Sequence, residues 1–277
     1  MIFLGNTAFL AGPDDPGGDL SRTLTGVLAA AAAVFLLSAT AATATAATAP
    51  RDAAPTGAIP TVGALSLVGY GQICTGTVLN TPKHNIVLTA AHCIDHLVVH
   101  PPGSAFSFTP GYDTASGNQA PYGKWSVKAY HLPSKRGILH RNPDYDVALF
   151  ELNPNGQGQN IQDVVGGQDY QINAPISGSI TSIGYPIAAK GRPYYCGVPV
   201  TVHPVSGHKD EFQADCGKAF GDGVSGAAFL VNYDANTQHG TVVASVGGDN
   251  EGGDSSGELT YGVRLDNEFQ SFLNGVG

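Results

Sequence analysis

Short strand-like segments follow one another from residue 61 to residue 265, and this pattern limits the possible folds more than any other feature of the sequence. The segments are rich in Val, Ile, Leu and Thr, and Gly, Pro, Asn and Asp separate them. Strands do not alternate with amphipathic helices; only residues 266–273 have apolar side chains at helical spacing. The pattern predicts an all-β fold of barrels or sandwiches with a short C-terminal helix. The predicted strands cover residues 61–68, 72–79, 85–91, 124–132, 146–152, 178–185, 194–202, 211–216, 226–233, 240–247 and 258–265.

The N-terminal part of the chain has the pattern of an export signal. Arg22 precedes an apolar run over residues 24–37, and a tract of small residues with several possible cleavage sites follows. The run is shorter than the roughly 20 residues that a membrane-spanning helix needs, so an uncleaved anchor is the less favoured alternative. We predict a signal peptide over residues 21–49, preceded by an extension of doubtful status (1–20) and followed by a linker (50–60). The mature protein is then secreted, extracellular and free of the membrane.

The charge of the chain excludes some classes of partner. The formal net charge is -9, so the surface is acidic. An acidic surface repels the phosphates of nucleic acids and of anionic membranes. We therefore expect no nucleic acid partner and no binding to a membrane surface.

All four cysteines lie outside the export signal, and an even number in an exported chain predicts two disulfides. Three pairings are possible. The nearest-neighbour pairing joins Cys74 to Cys93 and Cys196 to Cys216, and it closes two loops of similar size in separate halves of the chain. The polar, glycine-containing segment 153–162 is a plausible connector between these halves.

Ser225 is a candidate nucleophile because it lies between glycines in the segment FGDGVSGAAF (220–229). A hydroxyl nucleophile needs a base within hydrogen-bond distance, and the base needs an acid that fixes its tautomer. His92 is the best-placed base: a buried strand precedes it, small alanines surround it, and Cys93 can hold the backbone beside it. A purely structural histidine at a strand end is the alternative.

Asp146 is the candidate orienting acid, since a carboxylate that opens an apolar strand is costly to bury unless it is paired. Asp144 points to the same side of an extended chain and is its rival, but it follows turn residues and is expected to be solvated. Around the serine, the backbone N–H groups of Gly223 and Ser225 can point at one place and form an oxyanion hole. Gly226 is expected to let a substrate backbone approach closely.

A family resemblance is carried by LTAAHC (88–93), DVAL (146–149) and GDGVSG (221–226). With the order His92, Asp146, Ser225, these segments resemble the chymotrypsin-type (trypsin-like) serine protease family. Other stretches, such as FTPGY and IGYP, are closer to secreted bacterial trypsin-like and glutamyl-endopeptidase-like members. The resemblance implies two packed antiparallel six-stranded β-barrels. The first would span residues 61–160, and the second would span residues 161–277 with the C-terminal helix.

The resemblance also implies a role for each candidate. Ser225 would attack the scissile carbonyl, His92 would take and return the proton, Asp146 would orient His92, and the N–H groups of Gly223 and Ser225 would hold the oxyanion. The residues implied in substrate binding are Ser245, Val246, Gly247, Ala219 and Gly262. The predicted function is that of a secreted serine endopeptidase, a monomer that acts on a peptide or protein substrate without a cofactor or metal.

Several positions depart from the family pattern. Val224 stands where trypsin-like animal enzymes carry an aspartate that pairs with a new N-terminus, so that activation switch is expected to be absent. Ala219 stands at the expected floor of the primary pocket and provides no tryptic acidic floor. Ala244, before Ser245, replaces a histidine that glutamyl-specific relatives often carry, so specificity for Glu is not indicated.

Other functions fit the sequence less well. An α/β-hydrolase would place its serine in a G-x-S-x-G elbow and its triad in the order Ser, Asp, His. A zinc site at His92 and His96 would need a glutamate directly after the first histidine. The acidic loop 247–258 is more simply a solvated loop than a calcium site. The main rival is a secreted trypsin-like protein that binds but has weak or no catalysis, because Ala227 and Ala228 follow the serine loop in place of the common Gly-Pro.

Overall fold

The computed structural model describes residues 53–95, 100–137 and 141–276. The predicted signal peptide and the extension before it lie outside these residues. Within the described ranges, no helix is long and apolar enough to cross a membrane.

Strands dominate the described chain. The strands are β1 (Ala54–Pro55), β2 (Val62–Leu67), β3 (Gly71–Val78), β4 (Ile86–Thr89), β5 (Phe106–Pro110), β6 (Trp125–His131), β7 (Ala148–Leu152), β8 (Asp169–Tyr170), β9 (Ser179–Gly184), β10 (Tyr194–His203), β11 (Glu211–Asp215), β12 (Ala228–Asp234), β13 (His239–Val246) and β14 (Leu259–Arg264). The helices are α1 (His92–Asp95), α2 (Ile161–Val165) and α3 (Asn267–Val276). Each predicted strand corresponds to an observed one, and the predicted C-terminal helix is α3.

The strands close two antiparallel barrels, which confirms the predicted fold class. The first barrel has the order β2-β3-β4-β7-β6-β5. The second has the order β9-β10-β11-β14-β13-β12 and closes through the pairing of β12 with β9. Closing both sheets removes free strand edges. The short strands β1 and β8 lie outside this ring, where β1 pairs with β10 and β8 pairs in parallel with β13.

Side chains from both barrels meet in a shared apolar core. Leu88 and Leu149 of the first barrel belong to the same buried cluster as Leu230 of the second. Phe269 and Leu273 of α3 complete this cluster. Burying a side chain of this size contributes roughly 1.5–3 kcal/mol relative to leaving it exposed, so this core holds the barrels together.

Both disulfides follow the nearest-neighbour pairing. Cys74 is bonded to Cys93 within the first barrel, and Cys196 is bonded to Cys216 within the second. The described residues contain no free cysteine. Each link therefore stabilises one barrel, as the two-half layout requires.

The structure differs from the predicted segments in several places. Part of the predicted linker is strand β1, and Ala53 donates its N–H to the Cys216 carbonyl at 2.7 Å. Helix α2 begins after the predicted boundary at residue 160, but its Ile161 and Val165 pack with side chains of the first-barrel core. Strand β5 was not predicted; all its side chains are buried, and the Phe106 ring meets Phe150 edge-on at 5.2 Å. Its short sequence, FSFTP, ends in proline and has no long apolar run.

Candidate active site

His92 lies where the first barrel meets the second. Strand β4 ends at Thr89, and the fully buried Ala90 and Ala91 lead directly to His92, the first residue of α1. The disulfide from Cys93 to Cys74 fixes the backbone directly after it. The histidine is therefore held by a buried strand on one side and a covalent link on the other.

Asp146 lies directly against His92. It ends the 3-10 turn Pro143–Tyr145, and its side chain is fully buried. One carboxylate oxygen, Oδ2, lies 2.7 Å from Nδ1 of His92 and accepts the N–H of Gly248 at 2.8 Å. The other oxygen, Oδ1, accepts the backbone N–H of His92 at 2.9 Å. An ionised carboxylate accepts only, so Nδ1 carries the proton and Nε2 is left as the basic nitrogen.

The charges of the pair stabilise each other. Burial raises the pKa of Asp146, but His92, Arg136 and the Gly248 N–H lower it more strongly, to about 2. Burial likewise lowers the pKa of His92, but the charge and hydrogen bond of Asp146 outweigh this and hold it above its ordinary value; Glu251 raises it further, and Arg136 lowers it. The carboxylate therefore stays ionised, and it favours a proton on the imidazole.

The rival carboxylate, Asp144, is directed elsewhere. Its Oδ1 accepts the backbone N–H of Lys209 at 2.8 Å, and its Oδ2 lies 3.5 Å from Nδ1 of His208. Asp146, two residues later, is the carboxylate hydrogen-bonded to His92. The expectation that Asp144 is solvated is wrong, since only 11% of its side chain is exposed. The role of Asp146 as the orienting acid stays a prediction.

The loop that carries Ser225 is tied to the first barrel through Thr75 of β3. The Thr75 N–H donates to the Ser225 carbonyl at 2.9 Å, and its hydroxyl donates to the Gly223 carbonyl at 2.9 Å. The Thr75 carbonyl accepts the hydroxyl of Thr89, three residues before His92, at 2.8 Å. Thr75 also accepts the N–H of Tyr185 at 2.9 Å. Through these bonds the serine loop is held against the strand that delivers the histidine.

Two glycines permit the shape of this loop. Gly223 has φ +97°, a left-handed conformation that other residues rarely adopt. Gly226 has φ +83°, and a Cβ added to it would lie 2.2 Å from Oγ1 of Thr89 and 2.4 Å from the Thr75 carbonyl. The expectation that Gly226 lets a substrate approach is thus corrected: its bare Cα lets the second barrel approach the first.

A cavity of about 200 Å³ opens beside Ser225. The residues that line it include the apolar Val246, Phe220 and Leu259 and three acidic residues. The acidic residues are Asp222, Glu251 and Asp254. The charge of Glu251, one of these lining residues, also raises the pKa of His92.

The implied substrate-binding residues are only partly gathered at this cavity. Val246 lines it, and Ser245 is completely buried beside Val246. A Cβ on Gly247 would lie 2.9 Å from Oδ2 of Asp146, so this glycine packs against the carboxylate. Ala219 is not among the described residues that line the cavity beside Ser225; it lines a neighbouring cavity of about 610 Å³. Gly262 packs against the Phe229 ring in the second-barrel core, where a Cβ would lie 2.9 Å from the ring.

Four residues at the site were not predicted: Gly248, Thr75, Arg136 and Glu251. Gly248 and Thr75 reach the site through hydrogen bonds between residues far apart in sequence, Arg136 through a turn that folds back, and Glu251 through its charge. None of them stands in a recognisable local pattern. The nearest signal is the position of Thr75 beside Cys74, because the disulfide places Cys74 next to the histidine segment.

One cluster resembles a metal-ligand set by residue type. Ligand atoms of Cys74, His92 and Cys93 lie within 4.8 Å of one another. The two sulfurs are bonded to each other, so neither offers the thiolate that zinc binding needs. The cluster is therefore a disulfide beside a histidine.

Comparison with known families and structures places these features in context. The family model described as Trypsin matches residues 50–261. No curated protein matches the chain significantly.

Three solved structures illustrate the similarity. The protease Anisep from Arthrobacter nicotinovorans has a TM-score of 0.65 and 25% identity, and the match covers 80% of this chain and 97% of that one. The thermostable serine protease AL20 from an extremophilic microorganism has a TM-score of 0.63 and 19% identity, covering 78% and 96%. A Glu endopeptidase has a TM-score of 0.58 and 22% identity, covering 83% and 92%. The last two support the fold alone.

Proposed function

Because the chain belongs to the trypsin family of chymotrypsin-type serine proteases, we propose that it is a secreted serine endopeptidase with His92, Asp146 and Ser225 as its triad. The observation that carries the proposal is the 2.7 Å contact from Nδ1 of His92 to the buried Asp146, beside the loop that presents Ser225. Two disulfides and the predicted signal peptide are consistent with an extracellular monomer that acts on peptides or proteins.

The chemistry follows from these positions. The Ser225 Oγ attacks the scissile carbonyl while Nε2 of His92 takes its proton, so that a C–O bond forms and the carbonyl oxygen becomes an oxyanion. The N–H groups of Gly223 and Ser225 hold that oxyanion. The imidazolium, stabilised by Asp146, returns the proton to the leaving amine as the C–N bond breaks. Water then hydrolyses the acyl-enzyme by the same steps in reverse order.

The first test is covalent labelling. A fluorophosphonate probe should modify the folded, secreted protein on Ser225, because a serine activated by His92 attacks the phosphorus. Peptide mapping by mass spectrometry locates the label. Ser225→Ala should abolish labelling, and Ser271→Ala, an exposed serine on α3, should leave it unchanged. If the folded protein is not labelled and has no Ser225-dependent peptidase activity, the endopeptidase proposal fails and the binding-protein alternative stands.

The charge of the cavity predicts which substrates are excluded. A Glu or Asp side chain placed beside Asp222, Glu251 and Asp254 would be repelled, because like charges at close range are destabilising near a protein surface. Although a Glu endopeptidase is among the similar structures, we expect peptides with Glu before the scissile bond to be cleaved at least about tenfold more slowly than those with Gln. A peptide library with matched Glu and Gln members measures this ratio.

The control is Glu251→Gln, which removes one charge from the same cavity wall. It should bring the Glu and Gln rates closer together. Faster cleavage after Glu than after Gln by the unmodified protein would contradict this prediction.

A further inference from the structure

Arg136 is a buried cation directly behind the candidate triad. Only 4% of its surface is exposed, and it ends the 3-10 turn Ser134–Arg136. Its Nη2 lies 3.4 Å from Oδ1 of Asp146, the oxygen that also accepts the backbone N–H of His92. A buried arginine is stable only when its guanidinium is paired and hydrogen-bonded, so its position is fixed by its partners.

Arg136 has one partner on α1 and another in the segment that leads to Asp146. Its Nε donates to Oδ2 of Asp95 at 2.8 Å, and its Nη1 donates to the Asn142 carbonyl at 3.0 Å. The Asn142 N–H returns a bond to the Arg136 carbonyl at 2.7 Å. Asn142 directly precedes the turn Pro143–Tyr145, which ends at Asp146. One guanidinium thus connects α1, through Asp95, to the turn that carries the carboxylate.

We propose that Arg136 is a positioning residue of the triad: its guanidinium locks the Asp146 turn against α1 and balances the negative charge behind His92. The inference deepens the proposed function and rests on it for its catalytic consequence. Arg136 is not among the described residues that line the cavity at Ser225, so it acts through Asp146 and His92 rather than on the substrate.

The groups around His92 set the sign of the expected effect. Asp146 and Glu251 face it with negative charge from two other segments, and Arg136 faces it with positive charge. Asp95 lies on α1 itself and is paired with Arg136. Behind Asp146, the buried Glu211 of β11 also interacts with the carboxylate, and burial raises the pKa of Glu211 to about 8. Among the described residues, Arg136 is therefore a cation that opposes a proton on His92.

The test measures the pKa of His92 directly. In the full-length protein labelled for NMR, Arg136→Met should raise this pKa by about half to one pH unit, because a cation that disfavoured the imidazolium is gone. Arg136→Lys keeps the positive charge but loses the planar guanidinium with its several donors. It should shift the His92 pKa by less than half as much. Asp95→Asn combined with Arg136→Met removes both members of the buried pair and serves if Arg136→Met alone folds poorly. Because the loss of the Asp95 carboxylate offsets part of the effect, the upward shift should persist at a smaller size.

The matched control is Arg141→Met. Arg141 Nε contacts the same Asp95 at 3.2 Å, but its side chain is partly exposed, so its loss should move the His92 pKa by less than a third of the Arg136→Met shift. An unchanged His92 pKa in both folded variants that lack Arg136, or an equal shift in Arg141→Met, would overturn the proposal.

Kinetics supply the second readout. In Arg136→Met, the acid limb of kcat/KM should move to higher pH together with the His92 pKa, and kcat should fall while KM stays within about twofold. A fall through higher KM alone would contradict a positioning role. The NMR titration needs no turnover, so an inactive protein with the expected His92 shift would refute the endopeptidase and leave the positioning role of Arg136 intact.

Discussion

We expect Asp146→Asn to lower kcat by about 10⁴, the loss that follows when the imidazole of such a triad loses its orienting carboxylate. The structure gives the reason atom by atom. The two oxygens of Asp146 accept N–H groups from His92, at its ring and its backbone, and from Gly248. An asparagine has only one oxygen, and its NH₂ group takes the place of the other. That NH₂ group then faces an N–H donor: the protonated ring nitrogen of His92 or a backbone N–H. The imidazole then adopts the other tautomer, which puts a proton on Nε2 where the base should be.

Steady-state hydrolysis of a peptide substrate from pH 5 to pH 9 tests this expectation. The pKa of Asp146 is about 2, so the carboxylate is ionised throughout this range and the acid limb belongs to His92. Asp144→Asn is the matched control: it removes a carboxylate two residues away that is directed to Lys209, and activity should stay within about threefold. Activity near that of the unmodified protein in Asp146→Asn would refute the triad.

We expect Gly226→Ala to destabilise the fold by about 2–4 kcal/mol and to lower kcat by about a hundredfold or more. The added methyl would have to occupy space 2.2 Å from Oγ1 of Thr89 and 2.4 Å from a backbone oxygen, and backbone cannot rotate away as a side chain can. Its φ of +83° adds strain for any residue with a Cβ. Relief requires the serine loop to move away from the first barrel, which displaces Ser225.

Urea unfolding followed by circular dichroism measures the stability, and active-site titration measures the competent fraction. Gly158→Ala is the matched control, since Gly158 has φ +77° and nothing within 4 Å of an added Cβ. It should cost only the backbone strain of about 1–2 kcal/mol and leave kcat unchanged. If the two variants behaved alike, the close approach of the barrels at Gly226 would have no energetic role.

Local patterns predicted most of the fold because strands have a characteristic composition and turns are marked by glycine and proline. Segments such as 240–247 and 258–265 were recognised from β-branched and apolar residues alone, and they became β13 and β14. The choice of Asp146 over Asp144 followed from the cost of burying a charge. Helix α2 was missed because its five residues bury only Ile161 and Val165, too few to show a helical period.

The remaining features depend on which distant residues meet. Nothing near Arg136 in the sequence indicates that its guanidinium lies behind Asp146, since residues 136 and 146 are brought together by a folded-back turn. The expectation for Gly226 identified the need for a bare Cα but assigned it to a substrate, because a sequence cannot distinguish close approach by a ligand from close approach by another strand. Ala219 was placed by counting from the serine, whereas the cavity wall beside Ser225 is formed by Phe220.

Thr75 has a consequence for how the molecule loses activity. This one residue of the first barrel holds Ser225 and Gly223 of the second by its N–H and hydroxyl, and it holds Thr89 by its carbonyl. Under the proposed triad, neither barrel alone would contain a complete catalytic apparatus, so an isolated half of the chain would be inert, and two halves would regain function only by docking. Separation of the barrels and loss of activity would then be one event, and the interface between the barrels would itself be part of the catalyst.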